Sequence, residues 1–516
     1  MREGIVRALA QDVLRKLIFL VPLLFLSACS SPPDPSTLVM LIESSPTNLD
    51  PRIGLDAQSE RIDSLIFDDL LTRDEHLNVA PQLADRWEIP DPLTYIFHLR
   101  HDVKFHDGRS LTSRDVKWTF DSILQGKVRS TKGATYQDVD RIETPDSETV
   151  IFHLKKPFAG LLWNLSDGAI GIVPDGSTSE ISNQPIGSGP FRFVSAALDK
   201  EVIIERNNNY WGAKANLEKV RFAVVPDTTT LALELRKGSA DIAINAFTGD
   251  LVVALEKEPN LKVEHSPGTV FSYLAFNLRD PVLRDRRVRQ AIAYAIDREA
   301  MIHYLLHDFA RPADSILPPE SWAYDADVQH YEHSPERARQ LLDQAGYAAV
   351  NGERFHITMK TSTQESTRLL AAVLQQQLRE VGIVLEIRTF EVATFLSDVT
   401  RGAYQVHSLR WVGGNEDPDM FEYVFHSDRF PPRGANRTYY SNPRVDALIN
   451  QARVEFDRDK RKILYAELQK ILADDLPYVD LWYQDNVLVH TRRVENLTLD
   501  PSGSYDFLKT AKLVSP

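Results

Sequence analysis

Apolar and polar residues alternate with two different periods along this chain of 516 residues. Thr94 to Arg100 has a period of two, with Tyr95, Phe97 and Leu99 on one face, and Val150 to Lys155 repeats the pattern. A period of two predicts β-strands. Because nothing around the similar letters IFHLR and IFHLK matches, we expect two strands of one sheet rather than a duplication.

Helices are predicted by their capping residues and apolar stripes. Ser334 can cap a helix that begins with Pro335 and carries a stripe up to Ala345. Asn442 and Asp285 are in equivalent positions before two further stripes. A helix is also expected from about Leu369 to Gly382, followed by a strand at Ile383 to Ile387. Another strand is expected at Phe191 to Val194. Helices and strands alternate, so the fold class is α/β or mixed α+β.

The first 28 residues are typical of a secretory signal peptide. Basic residues precede the ten-residue apolar run Leu17 to Leu26, which is about half the length needed to cross a bilayer. Cys29, the only cysteine of the chain, follows directly and cannot form an internal disulfide. Residues 29–36 are rich in Ser and Pro and are expected to form a short tether.

Composition limits the function further. The net charge of −14 argues against nucleic acid as a partner, because phosphate binding needs clustered positive charge. The length suggests two to four domains, and no flexible linker is visible after residue 36. Domains are therefore expected to be joined by short crossings.

The common catalytic and cofactor motifs are absent from the sequence. His303 and His307 have the spacing of two zinc ligands, but a tyrosine follows the first histidine where a metalloprotease has glutamate. Asn415, Asp417 and Asp419 fail the calcium-loop pattern, which needs a glycine at its sixth position. No Gly-x-Ser-x-Gly, phosphate loop or dinucleotide motif occurs. We therefore expect no enzyme activity, no cofactor and no metal.

Several stretches resemble, in order, the family 5 extracellular solute-binding proteins that serve peptide and nickel importers of the ATP-binding-cassette type. They cover nearly the whole chain after the tether and are Leu83–Gly108, Leu111–Phe120, Pro185–Phe193, Arg206–Gly212, Asn277–Ile302 and Asn442–Leu448. Leu26-Ser27-Ala28-Cys29 likewise resembles a bacterial lipobox, which implies that Cys29 is acylated and becomes the mature N-terminus.

The resemblance implies a two-lobed periplasmic-binding-protein fold of type II, cluster C. Lobe I would contain residues 37–66, 184–264 and 481–516, with residues 67–183 as its extra subdomain, and lobe II would contain residues 265–480. The chain would cross between the lobes twice. These two crossings would form the hinge about which the lobes close over a ligand.

The resemblance also suggests where ligand binds. In peptide-binding members an aspartate three residues after a tryptophan meets the ligand amine, whereas here Gly414 follows Trp411 at that spacing. Glu416 or Asp417 could replace the aspartate, although Asp417 could equally be a turn residue. The resemblance further implies that His407 to Val412 is a strand of the cleft, and Arg410 on this strand is expected to hold a ligand carboxylate, with an ion pair to an acid of its own lobe as the alternative. The further candidates are Trp411, Gly414, Asn415, Tyr273 and Asn277, for which ordinary packing between the lobes is the alternative.

The sequence therefore predicts a monomeric, lipid-anchored receptor on the outer face of a bacterial membrane. It would capture a small peptide or peptide-like solute and deliver it to the permease of an importer. Two alternatives remain at this stage. One is a binding protein for another solute, such as chelated nickel, an oligosaccharide or an opine, and the other is a surface-anchored hydrolase.

Overall fold

The structure is a computed structural model that describes residues 35–74, 77–166, 170–413 and 416–514. Leu38–Pro516 forms one structural unit. Three predicted functional residues, Cys29, Gly414 and Asn415, lie outside the described residues. Within the described ranges, no helix is both long enough and apolar enough to cross a membrane.

The strands are short except for two, which have 16 and 14 residues. In chain order they are β1 (Thr37–Ile42), β2 (Leu71–Arg73), β3 (Val79–Pro81), β4 (Ala84–Asp91), β5 (Thr94–Leu99), β6 (Val139–Glu143), β7 (Thr149–Leu154), β8 (Phe191–Ala197), β9 (Glu201–Arg206), β10 (Lys219–Val224), β11 (Ile242–Ile244), β12 (Leu261–Phe276), β13 (Ala310–Pro312), β14 (Phe355–Ser362), β15 (Ile383–Phe390), β16 (Val406–Trp411), β17 (Tyr478–Thr491), β18 (Val494–Glu495) and β19 (Lys512–Leu513).

The helices are distributed along the chain between these strands. They are α1 (Ala57–Ile66), α2 (Ser113–Leu124), α3 (Leu161–Asn164), α4 (Thr228–Lys237), α5 (Gly249–Leu255), α6 (Arg286–Ala295), α7 (Arg298–Leu306), α8 (Pro335–Gln344), α9 (Glu365–Glu380), α10 (Val392–Thr400), α11 (Met420–Phe425), α12 (Pro443–Val454) and α13 (Arg458–Asp475). Short 3₁₀ helices span Lys132–Tyr136, Ser179–Asn183, Ser427–Arg429 and Asp506–Lys509.

One mixed sheet of 11 strands extends through the unit, in the order β15-β14-β16-β12-β17-β11-β1-β10-β9-β8, with β13 paired to β17 at the side. The long strands β12 and β17 run antiparallel at its centre, from Leu261 opposite Thr491 to Ala275 opposite Tyr478. The mixed α/β fold confirms the predicted class, and the two similar strands β5 and β7 are antiparallel neighbours in a separate four-stranded sheet.

Alternate residues of β12 face two different cores, as expected from the period of a strand. Leu274 and Phe276 belong to the core that α6, α8 and α9 cover. Phe271, Tyr273 and Ala275 belong to the core that α11, α12 and α13 cover. A third core is built from residues between Leu70 and Ile172 around the four-stranded sheet.

The predicted helix caps are confirmed. Ser334 accepts a hydrogen bond from Arg337 N at the start of α8, and Asn442 and Asp285 cap α12 and α6 in the same way. α9 begins at Glu365, four residues before the predicted start, since the apolar stripe begins only in its second turn.

Two of the family-like motifs meet at one buried carboxylate, that of Asp68 between α1 and β2. It accepts hydrogen bonds from Ser188 Oγ at 2.9 Å, Tyr210 Oη at 3.0 Å, Trp211 Nε1 at 2.9 Å and Gln82 Nε2 at 3.1 Å. Ser188 belongs to the stretch Pro185–Phe193, and the two aromatic residues belong to Arg206–Gly212. These motifs therefore hold the framework together, as their physical pattern predicted.

Candidate functional site

The strand β16 carries the central part of the predicted site, and its side chains divide between its two faces. Val406 packs into the core under α6 and α9, whereas Leu409 and Trp411 pack against the core under α12 and α13. Arg410 therefore lies on the face opposite Trp411. The strand is followed by Gly413, whose positive φ of 73° favours glycine.

The second half of β16 has an open edge. β12 pairs with the whole strand, from Val406 to Trp411, but on the other side β14 pairs only with Val406 and His407. Asn277 N donates to the carbonyl of Gln405, so alternate residues from Gln405 onward direct their backbone groups to β12. The Ser408 N–H belongs to the pairing with β14, because the parallel bridge between Lys360 and His407 needs it to donate to the Lys360 carbonyl. The Ser408 C=O and the Arg410 N–H and C=O therefore face a side that no strand of the described residues occupies.

Arg410 is exposed at this edge. In the part of the chain that the structure describes, no carboxylate lies within 4.0 Å of its guanidinium group. Burial raises the pKa of Glu43, the residue that follows β1, and the positive charges of Arg410 and Arg61 oppose that rise. The ends of β1 and β16 thus bring opposite charges near each other.

Trp411 and Tyr273 are brought together by the pairing of β12 with β16. Their rings are nearly parallel, at 18° with centroids 6.3 Å apart, and Tyr423 meets the other side of Trp411 edge-on at 6.3 Å. The Tyr273 side chain is fully buried under this stack. Trp411 is only half-buried, so it can still contact a ligand.

Asn277 is placed at the end of β12, where its side chain joins two segments of backbone. Its Nδ2 donates to the carbonyls of Gly402 at 3.0 Å and Tyr404 at 2.8 Å, and its Oδ1 accepts from Arg279. These contacts orient the loop before β16. A direct contact between Asn277 and ligand stays a prediction.

The two acids that follow the tryptophan are both buried. Glu416 Oε1 accepts a hydrogen bond from Thr269 Oγ1 at 2.6 Å, and its Oε2 lies 3.8 Å from Arg73 NH1. Burial, together with the nearby Asp419, raises the pKa of Asp417 to about 7. A ligand ammonium would have to compete with the present contacts of the Glu416 and Asp417 carboxylates. The role of these two acids as substitutes for the missing aspartate stays a prediction.

Sequence reasoning missed two polar residues on the Trp411 face of β16. Arg437 places its guanidinium carbon 5.3 Å from the centroid of the Trp411 ring. His407 is fully buried with its ring 6.2 Å from that of Tyr273, and burial followed by the charge of Arg437 lowers its pKa to about 3. The period of β16 could have placed His407 on the same face as Trp411, but no local pattern connects Arg437 to them.

The histidine pair of α7 forms two separate contacts. His303 Nδ1 lies 3.0 Å from Asp308 Oδ2, and His307 Nε2 lies 2.8 Å from Asp250 Oδ1. Among the described residues, no cluster of three or more His, Cys, Asp or Glu side chains is arranged to hold a metal ion.

Comparison with known proteins identifies the class to which this fold and site belong. Residues 78–430 match the family described as bacterial extracellular solute-binding proteins, family 5 middle. The chain is 27% identical to the dipeptide-binding protein of Escherichia coli K12, over 91% of this chain and 94% of that protein. This chain therefore belongs to family 5 of the bacterial extracellular solute-binding proteins.

Solved structures of the same class have the same fold. The oligopeptide-binding protein AppA of Bacillus subtilis, in complex with a nonapeptide, matches with a TM-score of 0.75 and 26% identity, over 93% of this chain and 99% of AppA. NikA of Brucella suis, in complex with Fe(III)-EDTA, matches with a TM-score of 0.84 and 25% identity, over 92% and 99%. The protein is a substrate-binding protein of the peptide and nickel importer class. Members of this family are not enzymes, so the alternative of a surface-anchored hydrolase is excluded.

Proposed function

We propose that this protein captures a small peptide in an extended conformation and delivers it to the permease of an importer. The observation that carries the proposal is the open edge of β16. An extended peptide can add to such an edge as a further strand, with main-chain hydrogen bonds giving affinity and side-chain pockets giving specificity. The Ser408 C=O and the backbone N–H and C=O of Arg410 are available for this pairing.

The relatives support a peptide as the ligand. The E. coli relative is a dipeptide-binding protein, and AppA was solved with a nonapeptide. NikA, by contrast, was solved with an iron chelate. A chelated metal is therefore the alternative substrate, and the open strand edge favours the peptide because a chelate has no backbone to pair with it.

The ligand site lies between two lobes in this proposal, with the boundaries predicted from the sequence. Three separate cores support those boundaries, since one is confined to residues 70–172 and two draw on residues 271–483. β12 crosses the proposed boundary after residue 264, and β17 crosses it after residue 480, which is opposite Tyr273. The pairing of the two strands has one register shift beside each crossing, between Ser266 and Val270 and between Ser272 and Tyr273, and such irregularities are suited to a hinge.

The lipid anchor at Cys29 is the second part of the proposal. It is supported by the sequence LSAC after a short apolar run. Acyl chains contribute about 0.8 kcal/mol per buried methylene, so an acylated N-terminus would hold the protein at a membrane surface. We expect Cys29→Ala to move the protein to the soluble fraction or to leave it unprocessed. Unchanged membrane attachment with a different mature N-terminus would contradict the anchor.

Hydrogen exchange can test the pairing of ligand with β16 directly. The probe is a synthetic pool of di- to pentapeptides, added to protein that has been unfolded, stripped of endogenous ligand and refolded. We expect the pool to raise the melting temperature and to slow exchange of the Arg410 amide. Leu409 and Trp411 are internal controls, because their amides already face β12.

The outcomes separate the parts of the proposal. If the pool leaves the melting temperature unchanged, a peptide is not the ligand. If the pool binds but the Arg410 amide exchanges as fast as before, the ligand does not pair with this edge.

A further inference from the structure

Arg437 is an arginine without an acidic partner. Its side chain is partly buried, and in the described residues no carboxylate lies within 4.0 Å of it. Its guanidinium lies over the Trp411 ring, in an attractive cation–π arrangement. A cation withdrawn from water without a counter-charge is disfavoured, so this interaction alone offsets only part of the cost of burial.

Buried polar atoms without hydrogen-bond partners lie on both sides of the Tyr273 ring, which is close to the rings of Trp411 and His407. Trp411 Nε1 and both ring nitrogens of His407 have no partner in the described structure. The Tyr273 hydroxyl lies near Arg437 and Tyr478 but makes no hydrogen bond of ordinary length to either. A buried polar group is unfavourable until it is paired.

Most of these groups are hydrogen-bond donors. The guanidinium offers five N–H groups, the indole one N–H, the phenol one O–H and a neutral imidazole one N–H. The pairing of β12 with β16 brings three of the four together: the Tyr273 ring is 6.3 Å from Trp411 and 6.2 Å from His407. A cationic site rich in donors and lacking a nearby acid is suited to an anion with two acceptor oxygens.

We infer that Arg437, with Trp411 Nε1 and the Tyr273 hydroxyl, forms a subsite for a carboxylate of the ligand. This inference rests on the proposed function and extends it, because it makes a free carboxylate part of what the protein recognises. The subsite is on the Trp411 face of β16, whereas Arg410 is on the opposite face. The loss of the amine-binding aspartate, replaced by Gly414, agrees with recognition of the ligand by its negative end.

Variants can test the subsite without disturbing the fold. The position of Arg437 is set by its backbone, since Tyr404 Oη donates to the Arg437 carbonyl at 2.6 Å and this bond does not depend on the side chain. Arg437→Gln removes the charge, Arg437→Lys keeps the charge without the planar fork, and Trp411→Phe removes the N–H but keeps a ring. Arg433→Gln is the matched control, because Arg433 is exposed on the same segment.

The probes are three synthetic tripeptide pools. The first lacks Asp and Glu and has free C-termini, the second is the same pool with C-terminal amides, and the third is amidated but contains Glu. Calorimetric titration of stripped, refolded protein measures binding. We expect the wild type and Arg433→Gln to bind the free-acid pool at least tenfold more tightly than the amide pool.

Arg437→Gln should bind the acid and amide pools equally, and Arg437→Lys and Trp411→Phe should fall between it and the wild type. Tight binding of the third pool would identify a side-chain carboxylate as the group received. The inference is overturned if the wild type binds all three pools equally, or if Arg437→Gln still prefers the acid.

Failure of the peptide function would be distinguishable from failure of the subsite. If no pool binds to the wild type, the ligand is not a peptide, and Fe(III)–EDTA, which presents carboxylates, becomes the probe. If the wild type binds this chelate and Arg437→Gln binds it at least tenfold more weakly, the result would support the subsite with a different ligand. Equal affinities, or no binding of the chelate, would remove Arg437 from any anion site.

Discussion

Arg410 combines exposure, an unpaired charge and a position at an open strand edge. We expect Arg410→Ala to weaken binding at least tenfold for a ligand that carries a second carboxylate besides the one received by Arg437. This corresponds to about 1.4 kcal/mol, because a guanidinium binds a carboxylate through two parallel hydrogen bonds. Fold stability should hardly change, since the side chain packs against nothing that would be lost. Calorimetry with the peptides recovered from the native protein measures the effect, and Arg433→Ala is the control.

Equal affinity of Arg410→Ala and the wild type would remove Arg410 from the site. The same result would leave Arg437 untouched, because the two arginines lie on opposite faces of β16.

Asp417 makes stability depend on pH. Its pKa is raised by burial and by Asp419 to about 7, from an ordinary value of 3.8. The folded state therefore binds more protons than the unfolded state between these values, and stability falls as the pH rises through that window. Asp417→Asn removes this term, so the variant should gain at least about 1 kcal/mol relative to the wild type between pH 5 and pH 8.

Urea denaturation at the two pH values measures the change, and exposed Asp428→Asn serves as the control. A difference between wild type and Asp417→Asn that is the same at pH 5 and pH 8 would show that Asp417 is ionised in the fold.

Single residues were the hardest level to predict from sequence. The pattern of β16 placed Arg410 and Ser408 on one face, because a strand has a period of two. No pattern could place Arg437 over Trp411, since the contact depends on how the segment before α12 returns to the sheet. The burial of Asp417 depends on the same long-range packing.

At the scale of elements, the stability of the framework depends on the hydrogen bonds at Asp68. Asparagine at this position keeps one acceptor oxygen but replaces the other with an NH₂ group. That group is a hydrogen-bond donor, and it would face side chains that are themselves donors. We expect Asp68→Asn to cost about 2–4 kcal/mol, since buried groups would be left unpaired. The midpoint of urea denaturation measures this, and exposed Asp140→Asn should leave it unchanged.

A loss below about 0.5 kcal/mol would mean that water or a shifted side chain replaces the lost hydrogen bonds. The motifs at Pro185–Phe193 and Arg206–Gly212 would then need another explanation.

Elements with local signals were predicted well, and their ends less well. The caps at Ser334, Asn442 and Asp285 start helices where expected, because capping is decided by the few residues around it. β8 continues to Ala197, three residues beyond the prediction, since pairing with β9 extends it past its apolar part. The order of strands in the sheet has no local signal at all.

At the scale of the whole molecule, the sheet that joins the proposed lobes also limits how they move. Relative motion must bend β12 and β17 where they cross the boundary, near their two register shifts. Gly268 lies at the shift between Ser266 and Val270, and an added Cβ would come within 2.3 Å of the carbonyl oxygen of Gln484. The close approach of the two backbones at this point makes it the expected place for a hinge.

We expect ligand binding to close the lobes about this crossing. A ligand at 100 times its dissociation constant stabilises a fold by about 2.7 kcal/mol, which should appear as a raised melting temperature. Closure itself should lower the radius of gyration in small-angle scattering of stripped, refolded protein when the peptide pool is added. Arg410→Ala at the same ligand concentration is the control, because weaker binding should reduce both changes together. A raised melting temperature with an unchanged radius of gyration would mean that ligand binds without moving the lobes. The crossing of β12 and β17 would then be a rigid connection rather than a hinge.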